Sequence, residues 1–297
     1  MKLFVTGATG FIGSHFLNAA LSAGHDVVAL RRSEKSKPRV PIIESADFNL
    51  NLPLKQGPFL GILTWLDKQM PDVTVEDLAG CDVLVHLAAV GITPQPATWE
   101  GCFQFNVIET MALVRKALEA GVKRVVVTGT YAEYGLAGLR FDPIPPDAPL
   151  EPTDPYAASK AAASIALASL CRVEKFELVY FRVFSVFGEG QYEKNFWPQL
   201  RKAAQAGDDF PMTSGEQIRD FLPVEDAAAQ LAKALTRTDV EPGIPWIRNL
   251  ASGTPVTLKH FAETCWRELG AQGTLQIGAI ANRPNEVMRY VPLVRLK

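Results

Sequence analysis

The sequence predicts an α/β fold, a doubly wound parallel sheet with helices on both faces, followed by a smaller C-terminal region that completes a ligand site. Three observations predict it. Short apolar runs alternate with segments whose apolar residues recur at helical spacing. Most of those runs carry almost no polar residue, as strands buried on both faces do. A glycine-rich turn joins the first run to the first helical segment within the opening 13 residues.

The elements follow in order. "KLFVTG" (2–7) reads as a strand and "FIGSHFLNAALSAG" (11–24) as a helix ending at Gly24. "DVVAL" (26–30) and "DVLVHLAA" (82–89) read as strands, "VIETMALVRKALEAG" (107–121) as a helix ending at Gly121, and "KRVVVTG" (123–129) as the next strand. Between them, Lys35 to Pro58 is rich in Pro, Asn and Lys and shows no readable strand. "YAASKAAASIALASLCRVEK" (156–175) is a small-residue helix and "FELVYFRVF" (176–184) a strand. Beyond it, loops with Pro and Gly separate shorter helices. Residues 1–182 are therefore assigned to the sheet domain and 183–297 mainly to the second region, with some segments returning to the first.

Composition narrows the function. A net charge of −2 with dispersed Lys and Arg gives no basic face for nucleic acid. The N-terminus lacks an apolar core followed by a small-residue cleavage site, and no apolar run approaches the ~20 residues that span a bilayer. A soluble, cytoplasmic protein without a membrane partner is expected. Cys81, Cys102, Cys171 and Cys265 lie far apart with no nearby His cluster, so buried thiols are expected rather than a metal site or disulfides.

The turn "TGATGFIG" places Gly7, Gly10 and Gly13 between strand and helix. Gly7 suits the tight turn, Gly10 lets backbone approach a pyrophosphate, and Gly13 allows the helix close to the sheet. The N–H groups of Phe11 and Ile12 open a helix with partial positive charge. A Rossmann-type dinucleotide site is the reading, against a bare glycine turn. In "DPYAASK", Tyr156 and Lys160 are four apart and share a helix face. A nearby ammonium would favour the phenolate, fitting Tyr156 for proton exchange; a solvated helix face is the ordinary meaning of such a pair. Thr130, at the C-terminal end of a strand, is positioned to hydrogen-bond the same substrate oxygen, or simply to cap a turn.

Together these motifs resemble the extended short-chain dehydrogenase/reductase group, the NAD-dependent epimerase/dehydratase family that acts on nucleotide sugars. "TGATGFIG", "DVLVHLAA", "PYAASK" and "IRDFLPVEDAA" match its signatures in order. The resemblance implies a catalytic Thr130, Tyr156 and Lys160, with Lys160 also on the nicotinamide ribose. It implies that Ala88 and Ala89 line the cofactor, that Asn106 lies on a helix behind the cofactor site, and that Arg219 meets the substrate diphosphate. A guanidinium suits that last task, the alternative being an ion pair with Asp220 or Glu225. It also implies a homodimer paired through the helices around Asn106–Ala120 and 157–170.

The departures carry information. Family dehydratases have Asp-Glu after the catalytic threonine; this chain has Tyr131-Ala132, which argues against dehydration. "RVFSVFG" puts Ser185 where the family has a substrate-contacting asparagine. The acidic residue expected after the third strand to hold adenine is not evident, and "LTWLDKQM" offers Trp65. The chain ends at "VPLVRLK", short of the family's last helical segment, so either the tail is disordered or the second region closes differently. Arg31, backed by Arg32 and Ser33, stands where NAD-specific relatives place an acid, so a 2′-phosphate is favoured there, with a solvated basic loop as the alternative. NADP(H) is thus favoured over NAD(H). The expected reaction is NADPH-dependent reduction of a 4-keto-6-deoxy nucleotide sugar. The alternatives are a nucleotide-sugar 4-epimerase with tightly held NAD and a non-catalytic dinucleotide sensor or scaffold.

Overall fold

The computed structural model describes residues 1–43, 60–284 and 286–294. The part of the Lys35–Pro58 stretch beyond residue 43 lies outside them. The first half of the chain runs β1 (Lys2–Thr6), α1 (Phe11–Ser22), β2 (Asp26–Arg31), β3 (Leu63–Asp67), α2 (Val75–Leu78), β4 (Val83–His86), α3 (Trp99–Phe103), α4 (Thr110–Glu119) and β5 (Arg124–Thr130). It continues with α5 (Pro155–Glu174), β6 (Glu177–Val183), β7 (Ser185–Phe187), α6 (Phe196–Ala206), β8 (Phe210–Met212), β9 (Ile218–Pro223) and α7 (Val224–Ala234). The last elements are β10 (Trp246–Leu250), β11 (Pro255–Thr257), α8 (Leu258–Glu268) and β12 (Leu275–Ile277).

Seven parallel strands form the central sheet in the order β10-β6-β5-β4-β1-β2-β3. Successive residues of each inner strand feed opposite faces, as the two-residue period requires. Leu3, Val5, Val83, Val85, Val126, Val179 and Phe181 pack with α1 and α7. Phe4, Leu84, Val125, Val127, Leu178 and Tyr180 pack on the other face with α4 and α5. This two-sided burial is why the strands read as unbroken apolar runs. The expected Rossmann-type sheet is present, and β10 returns to its edge from late in the chain.

Helix ends follow the sequence. Gly24 and Gly121, just past α1 and α4, have φ of +77° and +91°, conformations that favour glycine. The helix expected from residue 107 begins as a wider π-turn at Gln104–Glu109 and becomes α-helical at Thr110. Asp154 caps α5 by accepting from Ala157 N–H at 2.9 Å, with Pro155 in the first turn.

Beyond β6, a three-stranded sheet in the order β11-β9-β7 and the β8–β12 pair surround a separate apolar core with α6 and α8. The four cysteines are free and buried. Among the described residues no helix is long and apolar enough to cross a membrane, and no group of three or more His, Cys, Asp or Glu could hold a metal.

Candidate active site

The glycine turn connects β1 to α1 beside the end of β4. Gly7 has φ +71°, and a Cβ there would sit 2.6 Å from Ala88 N. A methyl on Gly13 would run into the Gly7 carbonyl, so that glycine sets how closely α1 lies on the turn. Gly10 caps α1 without a side-chain bond, and the first turn carries no acidic residue. The N–H groups of Phe11 and Ile12 therefore face no competing carboxylate from their own helix, and the cradle fits a dinucleotide pyrophosphate. Ala88 and Ala89 follow β4 at its edge, Ala88 N–H lying 3.4 Å from the Thr6 hydroxyl.

At the end of β2, Arg31 is engaged by a neighbouring carboxylate. Arg31 pairs with Asp67 across the β2–β3 register, with Nε and one terminal nitrogen at 2.7 and 3.1 Å from its two carboxylate oxygens. Its guanidinium also lies 4.9 Å from the Trp65 ring centroid. Asp67 closes β3, and Trp65 supports Arg31 from the same strand. Arg31 does not stand as an unengaged cation; Arg32 and Ser33 are exposed beside it.

Thr130, Tyr156 and Lys160 come together where β5 ends against the first turns of α5. The hydroxyls of Thr130 and Tyr156 are within hydrogen-bonding reach. Thr130 Oγ1 is approached by Ala132 N–H at 3.3 Å, which occupies a lone pair and leaves its proton to donate elsewhere. Lys160 is buried, and the loss of solvent lowers its pKa to about 8, against the opposing pull of Glu133. The expected lowering of the Tyr156 pKa is not what the surroundings produce. Burial, reinforced by the negative charge of Glu133, raises it well above the ordinary phenol value, outweighing the Thr130 hydrogen bond. Tyr156 is therefore protonated at neutral pH, ready to donate.

Asn106, on the π-turn that precedes α4, is held by protein groups. Its Oδ1 accepts from Val90 N–H at 3.0 Å, and its amide donates to Val90 O at 3.1 Å and Ser159 Oγ at 2.9 Å. At 1% exposure and with its amide engaged, it ties the loop after β4 to α5.

On the substrate side, Arg219 donates to the carbonyls of Ile218 and Val287 at 2.8 and 2.6 Å and lies 3.6 Å from Glu286. The pairing anticipated with Asp220 or Glu225 does not form: Asp220 accepts from Ser252 and Gly253 N–H, and Glu225 approaches His15. Ser185 lines a cavity of about 330 Å³ with Gln191, Lys194, Asn195, Phe221 and Arg283. Gln191 Oε1 is buried without a hydrogen-bond partner among the described residues. Tyr131, beside Thr130, packs its ring against Phe184 and Tyr290 with centroids 5.5 and 5.6 Å apart.

The residue missed in the sequence is Glu133. It is fully buried and held by Thr130 N–H, Tyr180 Oη and Arg182 Nε at 2.8, 2.8 and 2.7 Å. A charge between the strand "KRVVVTGT" and Tyr134, with an arginine inside "FELVYFRVF", was the available signal, since such groups are buried only when paired.

Residues 3–250 match the model of the NAD dependent epimerase/dehydratase family. A UDP-glucose 4-epimerase of Corynebacterium glutamicum is 28% identical over 89% of this chain and 79% of its own length. A dTDP-6-deoxy-L-talose 4-dehydrogenase (NAD(+)) of Aggregatibacter actinomycetemcomitans is 24% identical over 89% and 88%. Among solved structures, MoeE5 in complex with UDP-glucuronic acid and NAD superposes with a TM-score of 0.76 at 25% identity, covering 99% of this chain and 90% of MoeE5. With the glycine turn, the Thr-Tyr-Lys group and a family match over most of the chain, this protein belongs to the NAD-dependent epimerase/dehydratase family.

Proposed function

We propose that this chain is a nicotinamide-dependent oxidoreductase that reduces the 4-keto group of a nucleotide-linked 6-deoxy sugar. The observation that carries this reading is the protonated Tyr156 beside Thr130 and Lys160. Such a phenol is set up to donate, and Glu133, the carboxylate three residues after Thr130, is locked in a buried ion pair rather than free for elimination. Relatives named for epimerisation and for dehydrogenation at C4 of nucleotide sugars support the same chemistry.

Gly7, Gly10, Phe11, Ile12 and Gly13 would hold the dinucleotide's pyrophosphate, Arg31, Arg32 and Ser33 its adenosine ribose, and Ala88, Ala89 and Lys160 its nicotinamide end. The dinucleotide supplies the hydride. As the substrate carbonyl oxygen gains the electron pair, Tyr156 transfers its phenolic proton to it and Thr130 donates a hydrogen bond to the same atom. Lys160 stabilises the phenolate left behind. Lys194 and Arg283 at the cavity by Ser185 suit a diphosphate, with Arg219 nearer the turn after β5.

One observation favours the 4-epimerase with tightly bound NAD as a second reading: Asp67 already engages Arg31. The intact Thr-Tyr-Lys group weighs against a non-catalytic sensor. The test is incubation with NADPH or NADH and a panel of 4-keto and 4-hydroxy nucleotide sugars, following absorbance and product stereochemistry. Cofactor consumption with a 4-keto sugar supports reduction. Interconversion of 4-hydroxy sugars without consumption, by protein purified with NAD, makes the epimerase the better reading.

Cofactor choice yields a separate prediction. If a 2′-phosphate competes with Asp67 for Arg31, Asp67→Asn frees the guanidinium and raises the NADPH-to-NADH affinity ratio by about tenfold, the scale of one charge-assisted bond. Arg31→Ala should abolish the preference, and salt should weaken it. Fluorescence titration of both cofactors checks this. Unchanged ratios in both variants would leave Arg31–Asp67 as a purely structural clamp between β2 and β3.

We also propose a homodimer through α4 and α5. Trp99, Ile108 and Ile165 expose apolar side chains on this side of the molecule, at 56%, 59% and 62%. Light scattering at micromolar concentration should give twice the chain mass; a monomer overturns the proposal.

A further inference from the structure

We propose that Glu133 is the positioning residue of the catalytic group, fixing Thr130 directly and Tyr156 and Lys160 through β6. The inference rests on the oxidoreductase reading above.

The geometry is that of a hub between three elements. One carboxylate oxygen accepts from Thr130 N–H and from the Tyr180 hydroxyl, each at 2.8 Å. The other accepts from Arg182 Nε at 2.7 Å. The first bond, with the Thr130 hydroxyl facing Ala132 N–H, fixes the turn from which Thr130 points at Tyr156. The second reaches the helix, because the single Tyr180 proton is shared between that carboxylate and the carbonyl of Lys160, 3.2 Å away. Tyr180 thus ties α5, one turn beyond Tyr156, to the same carboxylate. Arg182 completes the set by also donating to Pro146 O at 2.7 Å and lying 3.3 Å from the Tyr134 hydroxyl.

The sequence leaves room for this arrangement at one place. A Cβ on Gly129 would overlap both the Glu133 carboxylate and the Tyr180 ring. Gly129 sits inside β5, where glycine weakens a strand, and close approach of other groups is the reason to have it there.

The charge also acts at a distance. Glu133 raises the pKa of both Lys160 and Tyr156. The other groups facing them are Tyr131 and Thr130 after β5, Asp154 at the cap of α5, Tyr180 from β6 and His86 from β4. Only Glu133 is both a fixed anion among these and bonded to the backbone of Thr130. A Val or Leu in its place would leave Arg182 buried without its carboxylate, a costly state, so the role is best separated from folding with paired variants.

The experiment uses the full chain in two variants, Glu133→Gln and Glu133→Gln/Arg182→Met, the second removing both charges. Protein labelled with ζ-15N lysine, assigned with Lys160→Ala, reports the Lys160 titration without substrate. Steady-state assays with the best substrate of the nucleotide-sugar panel report rate and pH profile. In Glu133→Gln the Lys160 midpoint should fall by about one pH unit, since an anion that favoured the ammonium is gone, and in the double variant, which also loses a cation, it should fall by less. The kcat should fall about tenfold or more with KM changed little, and its pH optimum should move to lower pH. A folded double variant with wild-type Lys160 midpoint, kcat and pH profile overturns the proposal and reduces Glu133–Arg182 to a structural pair. Failure of the nucleotide-sugar reading would show differently, as a wild type inactive on the whole panel whose Lys160 midpoint still moves on substitution.

Discussion

Replacing Tyr156 with phenylalanine is expected to leave cofactor affinity within about twofold and to lower kcat by ~10²–10⁴, the usual contribution of a positioned general acid. Phenylalanine keeps the ring packed in the first turns of α5 and removes only the hydroxyl near Thr130. Because burial and Glu133 hold the phenol protonated, the loss is of a donor already in its active form at neutral pH. The rate should therefore fall at every pH at which wild type works, rather than only on one limb of the profile. Single-turnover absorbance at 340 nm separates the chemical step from release. Lys160→Ala should behave differently and damage both cofactor binding and rate. A phenylalanine variant within a few-fold of wild type would remove Tyr156 from the chemistry and leave Thr130 or a water as the proton source.

The glycine turn and the Tyr156–Lys160 pair were legible in advance because their signals are local. Gly7, Gly10 and Gly13 sit within seven residues, and Tyr156 and Lys160 within five, so turn chemistry and helical spacing place them without knowledge of the rest. The strand faces were legible for the same reason. What sequence did not reveal are contacts between distant segments. Arg31 and Asp67 are 36 residues apart and meet only because β2 and β3 pair in one register. Glu133 and Arg182 are 49 apart and join the end of β5 to β6. Arg219 is held by Val287, 68 residues on, where the C-terminal segment runs back along β9. The engagement of the Asn106 amide depends on where Val90 and Ser159 fall. Charged residues inside apolar stretches are the trace such contacts leave. Glu133 and Arg182 both carry it.

The second large effect expected is a loss of stability on mild acidification, traced to His86. Its ring is 1% exposed, with Nδ1 at 2.8 Å from the Thr6 hydroxyl and Nε2 at 3.0 Å from that of Thr110. The Thr110 hydroxyl donates to Phe105 O at 3.2 Å, so it accepts from Nε2–H, and Nδ1 then accepts from Thr6. Protonation would turn that acceptor into a donor and place a cation near Lys160. Burial, with a smaller contribution from Lys160, accordingly lowers its pKa from 6.5 to about 3. The unfolded chain takes up the proton near pH 6.5 while the folded chain refuses it, so stability is complete above 6.5 and falls as pH drops toward 3. Between pH 7.5 and 5 this single group removes about 2 kcal/mol, a large share of ordinary domain stability. Urea unfolding across that range should show His86→Asn, which cannot titrate, losing about 2 kcal/mol less than wild type. Parallel losses in the two proteins would mean that His86 takes up its proton in the folded state as well.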